Sequence, residues 1–207
     1  MIDQTLIIET GLSALANIVE SVEAIDRLLP EDRRMPGPPF AIISNGEIPS
    51  RIEDICSYQA LAFGCLFDRG NRHTESAAFK NHRLKRIDAV HQRCGPSEIP
   101  QLRNRGVRNA LAHFDERMLK ALAASPNCGL IQDLAVSHRE AIMFEPTTIL
   151  VRFYCYDIDT LFLFNETMHL QPLKKEAQQV LAFWPEWLAQ REKMLGRSLP
   201  VYEPNTV

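Results

Sequence analysis

Between residues 5 and 29, apolar side chains recur at Ile8, Leu12, Leu15, Val19, Val22, Ile25 and Leu29. Steps of three and four follow the 3.6-residue turn of an α-helix, so this segment is apolar along one face from end to end. A face that long must be buried against other elements. Pro30 and the run Met35-Pro-Gly-Pro-Pro-Phe40 stop the helix, and residues 30–49 read as a loop with a short extended piece at 40–43. Ser50-Arg-Ile-Glu53 has the form of a capping box and predicts a second helix from Ser50 through Ile52, Ile55, Gln59, Phe63 and Leu66. A third, basic helix is expected over about 76–93. A fourth, over about 100–124, lies between Cys94–Pro100 and the breaker run Ser125-Pro-Asn-Cys-Gly129.

The pattern then changes. Residues 141–145 and 148–156, with Leu161–Phe164, are rich in β-branched and aromatic types and predict a small β-hairpin within 141–165. Helix returns at about 172–195, kinked or restarted at Pro185. The expected fold is mainly α: a single domain over 1–207, a helical bundle with a β-hairpin near the C-terminal end.

An apolar fraction of 45% with 24% charged residues is that of a soluble globular protein. No uncharged stretch nears the ~20 residues of a membrane span, and Asp3 and Glu9 stand where a secretory signal would be basic. Five widely spaced cysteines without a CxxC pair point to reduced thiols in a cytoplasmic protein, with no metal site and no cofactor expected. Asp88 and His91 share a helix face but lack further ligands. His138 and His169 have no evident partner, and Trp184 and Trp187 read as core or dimer contacts. No Gly-rich phosphate loop and no G-x-S-x-G elbow is present, which argues against an NTPase or a serine hydrolase.

Charge is unevenly spread. From Arg69 to Arg117 there are 11 Lys/Arg against 5 Asp/Glu in a chain whose net charge is −3, and four of the six histidines fall in the same segment. Such a patch suits a local anionic ligand; the plainer alternative is a set of solvated helix faces.

Within that segment stands Arg105-Gly-Val-Arg108-Asn109-Ala-Leu-Ala-His113-Phe-Asp-Glu-Arg117-Met. On a continuous helix, Val107, Ala110, Leu111, Phe114, Met118, Ala121 and Leu122 form one core stripe, and Asn109 and His113 share the polar side. Arg108 would lie about 140° around the axis from His113, so the helix alone does not assemble a site. Arg86 and His91 repeat the spacing, but there the Arg is followed by Ile.

Arg108-Asn109-Ala-Leu-Ala-His113 resembles the R-x4–6-H signature of the HEPN superfamily, in which the Arg is often followed by a polar residue. The resemblance rests on about six residues within some 90 of helical context. It implies a helical bundle that pairs as a homodimer. It also implies a metal-independent endoribonuclease of the toxin, phage-defence or RNA-processing kind, held by an antitoxin or defence partner protein; other members are inactive modules that bind RNA or a partner. Arg108, Asn109 and His113 are the catalytic positions it carries over, and Arg103 and Arg105 precede them as candidates for RNA phosphates. One subgroup continues as His-x-Tyr with a modified Tyr; here the run is His113-Phe114-Asp115, so that regulation is not expected.

The chemistry of the residues suits this activity. His titrates near neutrality and can act as base or acid, and Arg offers a fixed fork to phosphate oxygens. Two such helices meeting on a two-fold axis would bring two imidazoles and two guanidiniums into one cleft. The plainer alternative is the wet side of a helix, with Arg108 paired to Asp115 or Glu116.

Overall fold

The structure, a computed structural model, describes residues 4–29, 46–70, 74–94, 98–124, 130–132, 135–137 and 148–196. These residues form α1 (Gln4–Leu28), α2 (Glu47–Leu66), α3 (Ala77–Cys94), α4 (Arg105–Ala112), α5 (Phe114–Ala124), α6 (Leu170–Leu181) and α7 (Pro185–Met194). Six short strands, β1 (Leu130–Gln132), β2 (Ala135–Ser137), β3 (Thr148–Leu150), β4 (Arg152–Cys155), β5 (Thr160–Leu163) and β6 (Glu166–His169), lie between α5 and α6. The chain is mainly α with a β element toward its C-terminal end.

The apolar stripe of α1 is buried as its spacing demands, with Leu12, Leu15, Val19, Val22 and Ile25 all in the core. By length and composition α1 could cross a membrane, but half of its most apolar window is buried inside the protein. It packs along α2 and against α6. The α1–α2 approach is close enough that a Cβ on Gly11 would lie 2.6 Å from Leu66 Cγ and 2.9 Å from Cys65 Cβ. Gly11→Ala should therefore cost about 1–3 kcal/mol of stability by forcing the helices apart, even though Ala is the better helix former by about 1 kcal/mol. Urea denaturation measures this; a variant more stable than wild type would mean the helices are not locked at this point.

α2 begins earlier than its capping box suggested. Its N-cap is Gly46, without a side-chain cap. Pro49 falls in the first turn, where its missing N–H is not needed. The Ser50–Glu53 box is not used: Ser50 is exposed and Glu53 forms an ion pair with Arg152 on β4.

The basic segment is not simply a solvated face. On α3, Arg83 is 4% exposed and Arg86 7%. Arg83 forks onto the Glu75 carboxylate at 2.9 and 2.6 Å and donates to the carbonyls of Asp68 and Gly70. Arg86 Nε donates to Cys65 O at 2.8 Å. Two cations of the segment thus tie α3 to the end of α2 and the turn that follows.

The helix expected over 100–124 is broken. α4 ends at Ala112, His113 caps it at φ −117°, ψ 35°, and α5 starts at Phe114. Contacts with the sheet turn the chain here. The Phe114 ring lies 5.5 Å from that of Phe164, the Arg152 guanidinium sits 5.3 Å over Phe114, and Arg117 pairs with Glu166 at 3.1 Å. The core stripe therefore holds only in part: Val107 and Ala110 are buried, Leu122 is exposed, and no residue of α5 is buried.

The main sheet has the order β2-β4-β5-β6. β2 and β4 run parallel, whereas β4–β5 and β5–β6 are antiparallel; β1 and β3 form a separate parallel pair. The expected hairpin is β4–β5, with Phe153 opposite Phe162 and Tyr154 opposite Leu161. β6 extends it beyond residue 165. Its turn holds Asp159 at φ 48°. The Asp159 carboxylate accepts from Tyr154 OH at 2.9 Å and from the Gln171 N–H at the start of α6 at 2.6 Å. The extended pieces expected at 40–43 and 141–145 lie outside the described residues.

The last helix restarts at Pro185, as expected, giving α6 and α7. Trp184 at the junction is buried beneath the Arg93 guanidinium, 5.0 Å away, and Trp187 packs on the core.

Candidate functional site

α4 is held at its entrance by two side chains that sequence reasoning did not single out as functional. From α2, the buried Gln59 amide donates to the carbonyls of Gln101, Leu102 and Asn104 at 3.2, 2.8 and 3.1 Å. From α6, the buried Glu176 carboxylate accepts the backbone N–H groups of Gln101 and Leu102 at 3.0 and 2.8 Å. The turn before α4 thus has its polar backbone satisfied from both sides. Gln59 could have been found in sequence, as a polar residue on the apolar stripe of α2; Glu176 carried no such signal.

Asn104 then caps α4. Its Oδ1 accepts from Gly106 N at 2.9 Å, and its Nδ2 donates to Thr167 O on β6 at 2.8 Å. Gly106 lies so close to β6 that an added Cβ would run into the Glu166 carboxylate. At the far end, Arg117 returns to that same carboxylate, and Phe164, held in the left-handed region at φ 52°, sets its ring against Phe114. Such a conformation is costly for a bulky residue and needs surrounding contacts to fix it. The β5–β6 hairpin therefore grips the corner between α4 and α5 at both ends.

His113 stands on that corner. Its side chain is 59% exposed and its Nδ1 lies 3.6 Å from Glu116 Oε1. Its backbone N–H donates to Asn109 O at 3.0 Å, and the Asn109 side chain is exposed. Arg108 is in the middle of α4; its side chain lies outside the described residues. Glu116 faces His113, and the Arg108 pairing considered above lies outside the described residues. Arg105 opens α4, roughly one eight-residue helix length or about 12 Å from His113. It pairs with Asp68 at 3.2 Å and lies 5.3 Å over the Phe63 ring. Arg103 is exposed in the preceding turn. The structure thus brings Asn109 and His113 to one open corner and leaves Arg103 and Arg105 at the opposite end of α4.

Other nucleophiles are poorly placed. Burial pushes the Cys56 thiol up to about 12 and the Cys94 thiol up to about 11, so both stay protonated near neutrality. Among the described residues no disulfide joins the cysteines, and no cluster of three or more His, Cys, Asp or Glu could hold a metal ion. Asp88 pairs with Arg69 at 2.6 Å, and His91 packs edge-on to Phe67. Burial, and then the nearby Arg69 and Arg103 guanidiniums, hold the His91 imidazole below its usual range. His169 Nδ1 is 3.0 Å from Thr160 Oγ1; His138 is outside the described residues.

Neither a family model, nor a curated protein, nor a solved structure matches this chain.

Glu176 carries a pH signature. Desolvation raises its pKa above the ordinary glutamate value of 4.5, against the pull of the two backbone N–H groups and of Arg103. A raised folded pKa means that the folded protein binds the proton more readily than the unfolded chain. The resulting stabilisation is present below the ordinary value and is lost as pH climbs through the folded one. Relative to Glu176→Gln, wild type should therefore be favoured most at acid pH and lose ground as pH rises. Urea midpoints of the two proteins between about pH 4 and about pH 7 check this; parallel curves would mean that Glu176 titrates as in the unfolded chain.

Proposed function

We propose that the protein is a cytoplasmic, metal-independent endoribonuclease of toxin or defence type that cuts single-stranded RNA, with His113 as its acid–base group. The supporting observation is the exposed imidazole at the α4–α5 corner with a carboxylate 3.6 Å from Nδ1. A proton on Nδ1 facing Glu116 leaves Nε2 as the group that meets solvent and substrate. In the reaction, the 2′-OH oxygen attacks the adjacent phosphorus while an imidazole takes its proton. The P–O5′ bond breaks, and a second imidazole returns a proton to the 5′ oxygen, leaving a 2′,3′-cyclic phosphate and a 5′-OH. Arg108 is assigned to the phosphate oxygens, Asn109 to positioning, and Arg103 and Arg105 to the flanking backbone of the RNA.

One protomer supplies one such imidazole, so the reading includes a homodimer. α5 supports this: none of its residues is buried, and Leu119 is 68% exposed beside the exposed Leu122. A two-fold axis passing beside the α4–α5 corner would bring the two His113 side chains together and begin to cover this exposed face.

Purified protein incubated with an unstructured RNA in EDTA tests the reading: the expected products carry 2′,3′-cyclic phosphate ends. Intact RNA would sink it. The acidic flank of His113, Asp115 and Glu116, favours a second reading: an inactive module of the same helical kind that binds RNA or a partner protein. In that case RNA stays whole, and any retention of it weakens steeply with salt.

A further inference from the structure

α4 and α5 meet at a break that their own sequence does not ask for. From Arg108 to Ala124 the chain contains no glycine, proline or β-branched residue. The helical hydrogen-bond pattern enters and leaves His113 intact: its N–H donates to Asn109 O, and Arg117 N donates to His113 O, both at 3.0 Å. The His113 backbone departs from it, at φ −117°, ψ 35° against about −63° and about −42° for a helix. We infer that this corner is a two-state joint, clamped in its bent form by the β5–β6 hairpin, which straightens into one continuous α4–α5 helix when the clamp is released. The joint belongs to the fold and stands whether or not the corner cuts RNA.

The clamp has two jaws on one short turn. The Glu166 carboxylate lies against Gly106 in the first turn of α4 and pairs with Arg117 of α5 at 3.1 Å, so one side chain touches both helices. Phe114, the first residue of α5, meets the Phe164 ring at 5.5 Å and the Arg152 guanidinium at 5.3 Å. Phe164 itself stands in the left-handed region at φ 52°, a strain that only surrounding contacts maintain.

Little opposes the movement. No residue of α5 is buried, and Leu119 and Leu122 are exposed, so swinging this helix displaces no buried side chain of its own. Straightening also satisfies backbone groups. In the bent form the N–H groups of Phe114, Asp115 and Glu116 have no acceptor within α5; in a continuous helix they bond to the carbonyls of Ala110, Leu111 and Ala112. The change reaches the candidate site. In the straight form Asn109, His113 and Arg117 stand at i, i+4 and i+8 on one face. In the bent form that row is broken at His113, and Glu166 holds Arg117.

The test compares two variants of the whole protein that both lose the clamp on α5. Phe114→Ala with Arg117→Gln leaves the joint free to straighten. Phe114→Pro with Arg117→Gln keeps α5, where Pro suits the first position, but bars the continuous helix. Amide exchange at Asp115 and Glu116 and the His113 Cα shift are read by NMR. In the Ala variant the two amides should exchange at least about tenfold more slowly than in wild type, and the His113 Cα should move to a helical shift. In the Pro variant neither should happen. Glu166→Gln, at a half-exposed position, weakens the clamp with α5 unaltered and should slow the same amides at least about twofold. Exchange in the Ala variant as fast as in wild type, or equal protection in the Pro variant, overturns the inference. Should both double variants fail to fold, unslowed exchange in Glu166→Gln overturns it instead.

Discussion

In the proposed nuclease, His113→Ala lowers the cleavage rate by about 10²–10⁴-fold, the share that general acid–base catalysis supplies. It moves the Tm by less than about 2 °C, because surface substitutions stay within about 0.5 kcal/mol. Both halves follow from one placement: the imidazole is 59% exposed, and what His113 gives the fold is its backbone N–H to Asn109 O. Alanine keeps that hydrogen bond. Cleavage assays in EDTA and a thermal melt on the same preparation check the two together. A variant that cuts RNA as fast as wild type removes His113 from the mechanism; one that melts much lower shows the side chain to be structural.

Glu176→Ala has the opposite profile, with stability falling first. Two backbone N–H groups, at Gln101 and Leu102, lose an acceptor in a place that water does not reach easily. Orphaned donors of this kind cost about 1–3 kcal/mol each. A total of about 3 kcal/mol corresponds to a fall in Tm of about 6–12 °C for a chain of this size. Because these groups hold the turn that leads into Asn104 and α4, hydrogen exchange at Gln101 and Leu102 should accelerate, and any cleavage should weaken even well below the melting temperature. Unchanged exchange at these amides would show that Gln59 holds the turn alone.

These two residues mark where the sequence is readable and where it is not. The stripe of α1, the basic helix at α3 and the restart at Pro185 follow from local rules of periodicity and proline chemistry, and all three are found. The break at His113 has no local signal, since Leu111-Ala-His-Phe114 contains no helix breaker. It arises because Phe114 and Arg117 bind Phe164 and Glu166, residues about fifty positions away. The early start of α2 has a similar lesson: Pro49 looks like a stop, but in a first turn it is harmless, and Glu53 is taken by Arg152. Charge misleads in the same way. Arg83 and Arg86 read as part of a surface patch, yet one is a buried fork on Glu75 and two carbonyls, and the other holds Cys65 O.

For the candidate site, Asn109 and His113 do share an exposed corner, as the Asn-x3-His spacing implied, but through a helix end and not along a helix face. The supports of that corner, Asn104, Glu166 and Glu176, depend on pairings between distant segments that no short window of sequence contains.

The packing of α1 on both α2 and α6 also orders events at the ribosome. The first two helices can dock as soon as they emerge, but the remaining side of α1 stays open until residues 170–181 have been translated. A nascent chain arrested within the strands would therefore display an oily strip fit for chaperone capture, and release from that capture should coincide with the emergence of α6.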